Sequence, residues 1–418
     1  MAISFSEFAN TVKPEGAFEV LAVAKKLSAA GKKVYELEIG DSPFPSPPAA
    51  RDAGINAIQN DLCHYGPSAG VNAFREAASV YINREFKLNT SLKNIIAGPG
   101  AKTFQLLFTE TFLDPGDGVL VFSPYFPTYP ANIHRRGARM VTSELLEAHE
   151  FRPSVADVEN FLETDPAPKA IFVNSPHNPT GGIAHKEDLT AIANIVRGTN
   201  IAIFSDEPYD QMAWRHPHHS IYAEPGMADH VVAAYTFSKS FSMSGWRLGF
   251  AVANEKTIDM FDALTNTVIS CVPPFIQMAG VSALQHALTE RDHMMGSFQK
   301  KLESMVSALN TIEGVHCLLP GGSFYAFPNV KAICNKLQIT SHGLAMYLLE
   351  AADAETGVAC LGGECFGEAG AGFIRLSSAL PEEELINAIA FMAGAFDRQT
   401  HLTEYIIEHP EFKLTATY

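Results

Sequence analysis

The sequence predicts an α/β protein: a mostly parallel sheet covered by helices on both faces, joined to a smaller α+β domain. Three observations predict it. Short apolar runs alternate with helix-like segments between residues 90 and 252, a long stretch of helical periodicity follows, and strand-like runs then alternate with helical ones to about residue 396. Parallel strands require crossover connections, and those connections lay helices over both faces of the sheet.

Residues 17–30 read as a helix stopped by Gly31, because glycine enters the left-handed conformation that ends helices. Residues 34–39 read as a strand, and both join the small domain from the N-terminal side. The runs 95–96, 119–122, 170–173, 201–204 and 231–235 are apolar throughout, as strands buried on both faces are. Over residues 278–309, Met295, Phe298, Leu302, Met305 and Leu309 recur at helical spacing and predict one long amphipathic helix bridging the domains. Residues 314–319, 323–327, 358–361 and 373–376 read as further strands. The expected division is a large domain at 46–285, a small domain from 1–45 with 286–396, and a tail at 397–418.

Composition excludes several functions. Lys and Arg number 30 against 46 Asp and Glu, and the net charge of −16 argues against nucleic acid as a partner. The first residues lack the basic and apolar regions of an export signal, and no apolar run is long enough to span a bilayer, so a cytoplasmic protein without membrane contact is expected. Six cysteines without paired spacing read as reduced, mostly buried thiols. His216, His218 and His219 flank Pro217 and lack acidic or cysteine partners at ligand spacing; they read as a surface loop, and no metal is expected.

Ligands of open parallel sheets collect beyond the carboxyl ends of strands. Four apolar runs lead directly into polar segments: Gly98-Pro-Gly100-Ala101-Lys102, Asn174-Ser-Pro-His-Asn178-Pro-Thr-Gly181, Ser205-Asp206-Glu-Pro-Tyr209 and Thr236-Phe-Ser-Lys239. The last continues to Gly245-Trp-Arg247-Leu-Gly249. Taken singly, each has a structural explanation as a turn, a cap or a solvated lysine.

In this order they resemble the fold-type I pyridoxal-5′-phosphate (PLP) family, specifically the class I/II aminotransferases, over residues 17–392. Within the family the chain is most similar to the bacterial-type aspartate/prephenate subgroup. The resemblance implies a three-layer, PLP-transferase-like large domain and a Schiff base between PLP and Lys239, whose amine then moves a proton between substrate Cα and cofactor C4′. It gives Thr236, Arg247, Gly100, Ala101 and Lys102 to the cofactor phosphate, Asp206 to the pyridine nitrogen, Asn178 and Tyr209 to the phenolic oxygen, and Phe126 to the ring face. Lys239, Asp206 and Tyr209 form the catalytic set.

On the substrate side the resemblance implies Arg375 as a bidentate clamp on the α-carboxylate, with Asn178 and the Gly40 backbone nearby. Asp41-Ser-Pro43 stands where the family continues Glu-Pro-Asp, which leaves that loop's shape open. Lys102 is the candidate for a distal carboxylate, although a cation at a helix start calls for a nearby anion. Tyr65 implies a homodimer with shared active sites, since its family counterpart reaches the phosphate across the subunit boundary. The expected reaction is transamination between an amino acid and a 2-oxo acid, first aspartate with 2-oxoglutarate. Alanine, aromatic amino acids or kynurenine as donors, or a PLP-dependent carbon–sulfur β-lyase, are the alternatives. A nicotinamide dehydrogenase is set aside because no GxGxxG opens a helix after the early strands.

Overall fold

A computed structural model of the chain describes residues 3–12 and 14–418; Met1, Ala2 and Lys13, within the expected 1–45 segment, lie outside the described residues. The strands are β1 Lys33–Glu36, β2 Ile95–Gly98, β3 Gly118–Ser123, β4 Arg139–Glu144, β5 Pro168–Asn174, β6 Ala202–Asp206, β7 Val231–Thr236, β8 Gly249–Val252, β9 Tyr325–Ala326, β10 Thr356–Ala359, β11 Leu361–Gly362 and β12 Ile374–Ser377.

The large sheet has seven strands in the order β2-β8-β7-β6-β5-β3-β4. Only β8 runs against its neighbours; the remaining pairs are parallel. Alternate residues of each strand enter opposite cores, the consequence of a two-residue side-chain period. Ile96, Val121, Phe172 and Phe204 pack on one face, where Phe108 of the helix Lys102–Phe112 lies 5.5 Å from Phe172 and 5.4 Å from Phe204. Leu120, Ile171, Ile203 and Tyr235 pack on the other with Phe74 and Phe250. Burial on both faces explains the uninterrupted apolar runs. β4, with its exposed Arg139 and Glu144, has no such run; it is an edge strand, where charge discourages further pairing.

The single helix expected over 278–309 is two helices, Pro274–His286 and Leu288–Leu309, broken at Ala287 where φ is −112° and ψ 20°. The two segments serve different cores. Ala279, Ala283 and Leu284 face the large sheet, whereas Leu302, Met305 and Leu309 enter the small-domain core. Apolar periodicity is blind to that change of axis.

In the small domain β1 pairs in parallel with β10, and β11, β12 and β9 form an antiparallel sheet. The strand expected at 314–319 is absent apart from one bridge, His316 to Asn329. The one expected at 323–327 shortens to β9, since Ser323 takes φ 61° and interrupts the extended chain. The last residues fold back on this domain: the helix Gln399–Glu408 sets Tyr405 5.7 Å from Tyr347, and the Tyr418 hydroxyl donates to Glu364 Oε1 at 2.8 Å. No helix among the described residues is long and apolar enough to cross a membrane.

Candidate active site

Because β8 alone is reversed, the carboxyl ends of β2, β5, β6 and β7 share one edge of the sheet. Gly98 pairs with Gly249 and Gly249 with Thr236, while Asn174 pairs with Asp206. The four polar segments therefore open on one crevice, as expected for parallel sheets. A cavity of about 470 Å³ lies there, lined by Gly40, Ala101, Lys102, Phe126, Asn178, Asp206, Tyr209, Thr236, Lys239, Arg247 and Arg375. Gly100 stands behind it against Arg247. Tyr65 does not reach it: its side chain is 90% exposed on a loop outside the cavity.

Asp206 ends β6 and is buried. Tyr129 donates to its Oδ2 at 2.7 Å and Gln105 at 3.4 Å, whereas Oδ1 is buried without a partner. Burial pushes this carboxyl up to about 6, and the Tyr129 hydrogen bond works against that shift. Lys239 Nζ donates to the Gly40 carbonyl at 2.6 Å and lies 5.9 Å from the Tyr209 ring centroid. Tyr209 donates to the Tyr325 hydroxyl at 3.2 Å, and burial holds its phenol well above the usual range.

At the other end of the cavity, Gly100 takes φ +87°, and a Cβ there would sit 2.4 Å from Arg247 Nη2. Only glycine leaves that space. Arg247 is itself left-handed at φ 54° and donates to the carbonyls of Ser244 and Pro99 at 2.8 and 3.0 Å. The Thr236 hydroxyl donates to Ser238 Oγ at 2.9 Å. The helix Lys102–Phe112 begins at this cavity, with Ala101 and Lys102 in its lining and no side chain capping the first N–H groups.

Arg375 is buried on β12. Its Nη1 donates to Asn178 Oδ1 at 2.9 Å, Nη2 donates to the Glu38 carbonyl, and its guanidinium lies 4.3 Å over the Tyr325 ring. Its Nε has no partner. The anion required beside Lys102 is Glu15, whose Oε1 accepts from Lys102 Nζ. Glu15 escaped the sequence reading, as did Gln105 and Tyr325. Gln105 carried a usable signal, since it stands one helical turn after Lys102 and so shares its face.

The histidine segment is part surface, as expected, and part interior. His218 is buried and its Nε2 pairs with Glu207 Oε2 at 2.8 Å, while His219 pairs with Glu224 at 2.9 Å. Glu207 also accepts from Ser205, Ser220 and Tyr235, so the His218 end of the loop is drawn inward, while Arg215, His216 and Pro217 stay exposed at the surface as expected. The rings of His216 and His185 lie tilted with their centroids 4.0 Å apart, and with Glu150 they offer ligand atoms within 4.8 Å of one another. Arg215 already pairs with Glu150 there at 3.4 Å. Among the thiols, Cys317, Cys334 and Cys360 are buried, Cys271 and Cys365 partly so, and Cys63 is exposed; all six are free.

The family profile for aminotransferase class I and II matches residues 32–391. A probable aspartate/prephenate aminotransferase of Aquifex aeolicus is 33% identical over 393 residues, 92% of this chain and 97% of that protein. The aspartate aminotransferase of Thermus thermophilus with maleate superposes with a TM-score of 0.87 at 27% identity, covering 94% of this chain and all of that one. An alanine aminotransferase from Pyrococcus furiosus gives 0.85 at 26%, covering 96% and 100%. With the profile spanning most of its length and relatives matched nearly end to end, this chain belongs to the class I and II aminotransferases, PLP-dependent enzymes that transfer amino groups.

Proposed function

We propose that this transaminase moves the amino group of aspartate to 2-oxoglutarate, with Lys239, Asp206 and Tyr209 as its catalytic residues. The observation that carries the reading is the convergence of Asp206, Lys239, Arg247 and Arg375 on one cavity. Its residues fit PLP. The unpartnered Oδ1 of Asp206 is an unmet acceptor for a pyridinium N–H, and the Arg247 guanidinium, which the missing Cβ of Gly100 lets pack at the cavity wall, suits a phosphate. The backbone N–H groups of Ala101 and Lys102 at the helix start and the Thr236 hydroxyl complete that anion site, which leaves the Lys102 ammonium to the substrate.

Bound PLP supplies a protonated ring that takes up the negative charge developing at the substrate Cα. Asp206 would hold the ring proton, Asn178 and Tyr209 would donate to the phenolic oxygen, and Phe126 would cover the ring. Lys239 would hold the cofactor through its amine, and that amine would serve as the base that takes the proton from the substrate Cα. Arg375 clamps the α-carboxylate beside Asn178 and the Gly40 backbone, and Lys102 meets the distal carboxylate. The Aquifex relative's name and the maleate of the Thermus structure support a dicarboxylic substrate. A neutral donor such as alanine or an aromatic amino acid is the second reading, favoured by Phe18, Ile39 and Phe126 along the same cavity.

The proposal includes a homodimer in which Tyr65 reaches the partner's phosphate site. Ile58, Leu62 and Tyr65 are exposed, as are Val268 and Ile269, and the Gly66 N–H to Cys271 Sγ contact at 3.4 Å joins these two stretches into one apolar face. It also includes the cytoplasm, supported by six free thiols, and a division into 46–285, 1–45 with 286–396, and a tail at 397–418. The test is an absorbance titration of the purified holoenzyme with a panel of amino acids. Conversion to pyridoxamine phosphate at the lowest concentration with aspartate is expected; preference for alanine or phenylalanine overturns the substrate.

A further inference from the structure

Glu15 is the residue before the helix Gly16–Ala29, the position from which a side chain ordinarily caps the first N–H groups. Its carboxylate caps none of them. It crosses the cavity mouth to accept from Lys102 Nζ, and it is the less exposed partner, at 18% against 43% for the lysine. The Lys102 ammonium also lies 5.3 Å from the Phe126 ring centroid, so the ion pair sits where a substrate side chain enters.

The charged residues lining the cavity are Glu15, Lys102, Asp206, Lys239, Arg247 and Arg375. On the functional reading above, four of these are engaged by the cofactor and the α-carboxylate. Glu15 and Lys102 remain to meet the side chain, beside the apolar Ala17, Phe18 and Ile39. A transaminase admits its donor and its acceptor to the same pocket in turn. When one carries a distal carboxylate and the other does not, an unpaired cation in the pocket suits only the first, because an uncharged side chain that covers the ammonium takes away water and offers no partner in exchange.

We propose that Glu15 is an exchangeable counter-ion for Lys102. It stays when the substrate side chain is uncharged and leaves when a distal carboxylate takes its place, so that Glu15 sets the selectivity between neutral and dicarboxylic substrates. The inference rests on the assignment of Lys102 to the distal carboxylate. The exchange is one carboxylate for another and leaves the charge at Lys102 balanced. Glu15 also has somewhere to go, since the uncapped start of its own helix accepts a carboxylate favourably.

The experiment compares Glu15→Gln, Glu15→Ala and Lys102→Met with the parent holoenzyme, using aspartate, alanine and phenylalanine as donors and calorimetric binding of maleate. Both Glu15 variants are expected to bind maleate and aspartate about three- to tenfold more tightly and to lose a similar factor in kcat/KM for alanine and phenylalanine. Lys102→Met is expected to lose about tenfold or more for aspartate alone. Parental selectivity and maleate affinity in both Glu15 variants, beside a selective loss in Lys102→Met, overturn the counter-ion and leave the Lys102 assignment standing. An equal loss for every donor in Lys102→Met removes that assignment and the counter-ion with it.

Discussion

Tyr129 donates its phenolic hydrogen to Oδ2 of Asp206 at 2.7 Å while Oδ1 of the same carboxylate has no partner. One oxygen is thus fixed by the protein, and the other is the one the proposed function gives to the cofactor ring. Tyr129→Phe removes the stronger of the two donors to Oδ2 without opening much space. Turnover is expected to fall about tenfold, the loss of roughly 1.5 kcal/mol for a hydrogen bond to a charged group, with PLP content nearly unchanged. Because that bond holds the carboxyl down, the acidic limb of the kcat–pH profile should also move upward. Unchanged kcat and limb would show that Tyr129 does not tune Asp206.

Gly100→Ala places a methyl group where the space beside Arg247 Nη2 is 2.4 Å, at a backbone φ of +87°. PLP affinity should fall about tenfold or more and stability by about 1–2 kcal/mol. Fluorescence titration of the apoenzyme with PLP measures the first. Parental affinity would remove Gly100 from the phosphate site.

Arg375→Lys keeps the charge and loses the planar fork that stacks at 4.3 Å on Tyr325 and reaches Asn178. KM should rise about ten- to hundredfold for aspartate and alanine alike, because the α-carboxylate is common to both. A loss confined to one donor would place Arg375 at the side chain instead.

Glu38 is fully buried at the domain junction with both carboxylate oxygens unpartnered, and burial pushes its carboxyl up to about 7. A carboxyl raised in the folded state contributes stability that is complete below its unfolded value and is lost as pH rises through its folded one. For Glu38 that window runs from about 4.5 to 7. Glu38→Gln does not titrate, so relative to the parent it should gain about 1–3 kcal/mol between pH 5 and pH 8. Denaturant unfolding at both pH values checks it, and an equal difference at both would contradict the titration.

The legible parts of this molecule were those where one physical demand acts on consecutive residues. Strands β3, β6 and β7 are buried on both faces and so spell apolar runs, and the polar residues that follow them mark the crevice. β4 escaped because an edge strand is half solvated, and the break at Ala287 because two packed helices can share one apolar rhythm. Within the site, Lys239, Asp206, Asn178, Arg247 and Arg375 stood in a recognisable order, and the cavity collects them. Glu15 lies 87 residues from Lys102 in a segment without periodic signal, and the inward turn of His218 depends on Glu207, eleven residues away. Pairings of that kind are set by tertiary packing and leave no local trace.

On the proposed function Lys239, whose Nζ lies 2.6 Å from the Gly40 carbonyl in the cavity that Asp206 also lines, is the lysine that holds PLP. Borohydride reduction of the purified holoenzyme followed by peptide mapping tests it most directly, since reduction fixes the cofactor to whichever lysine carries it. A single pyridoxyl label on Lys239 is expected, and a Lys239→Ala protein that folds but neither takes the label nor turns over. A pyridoxyl label on Lys102 or any other lysine of the parent enzyme would contradict it.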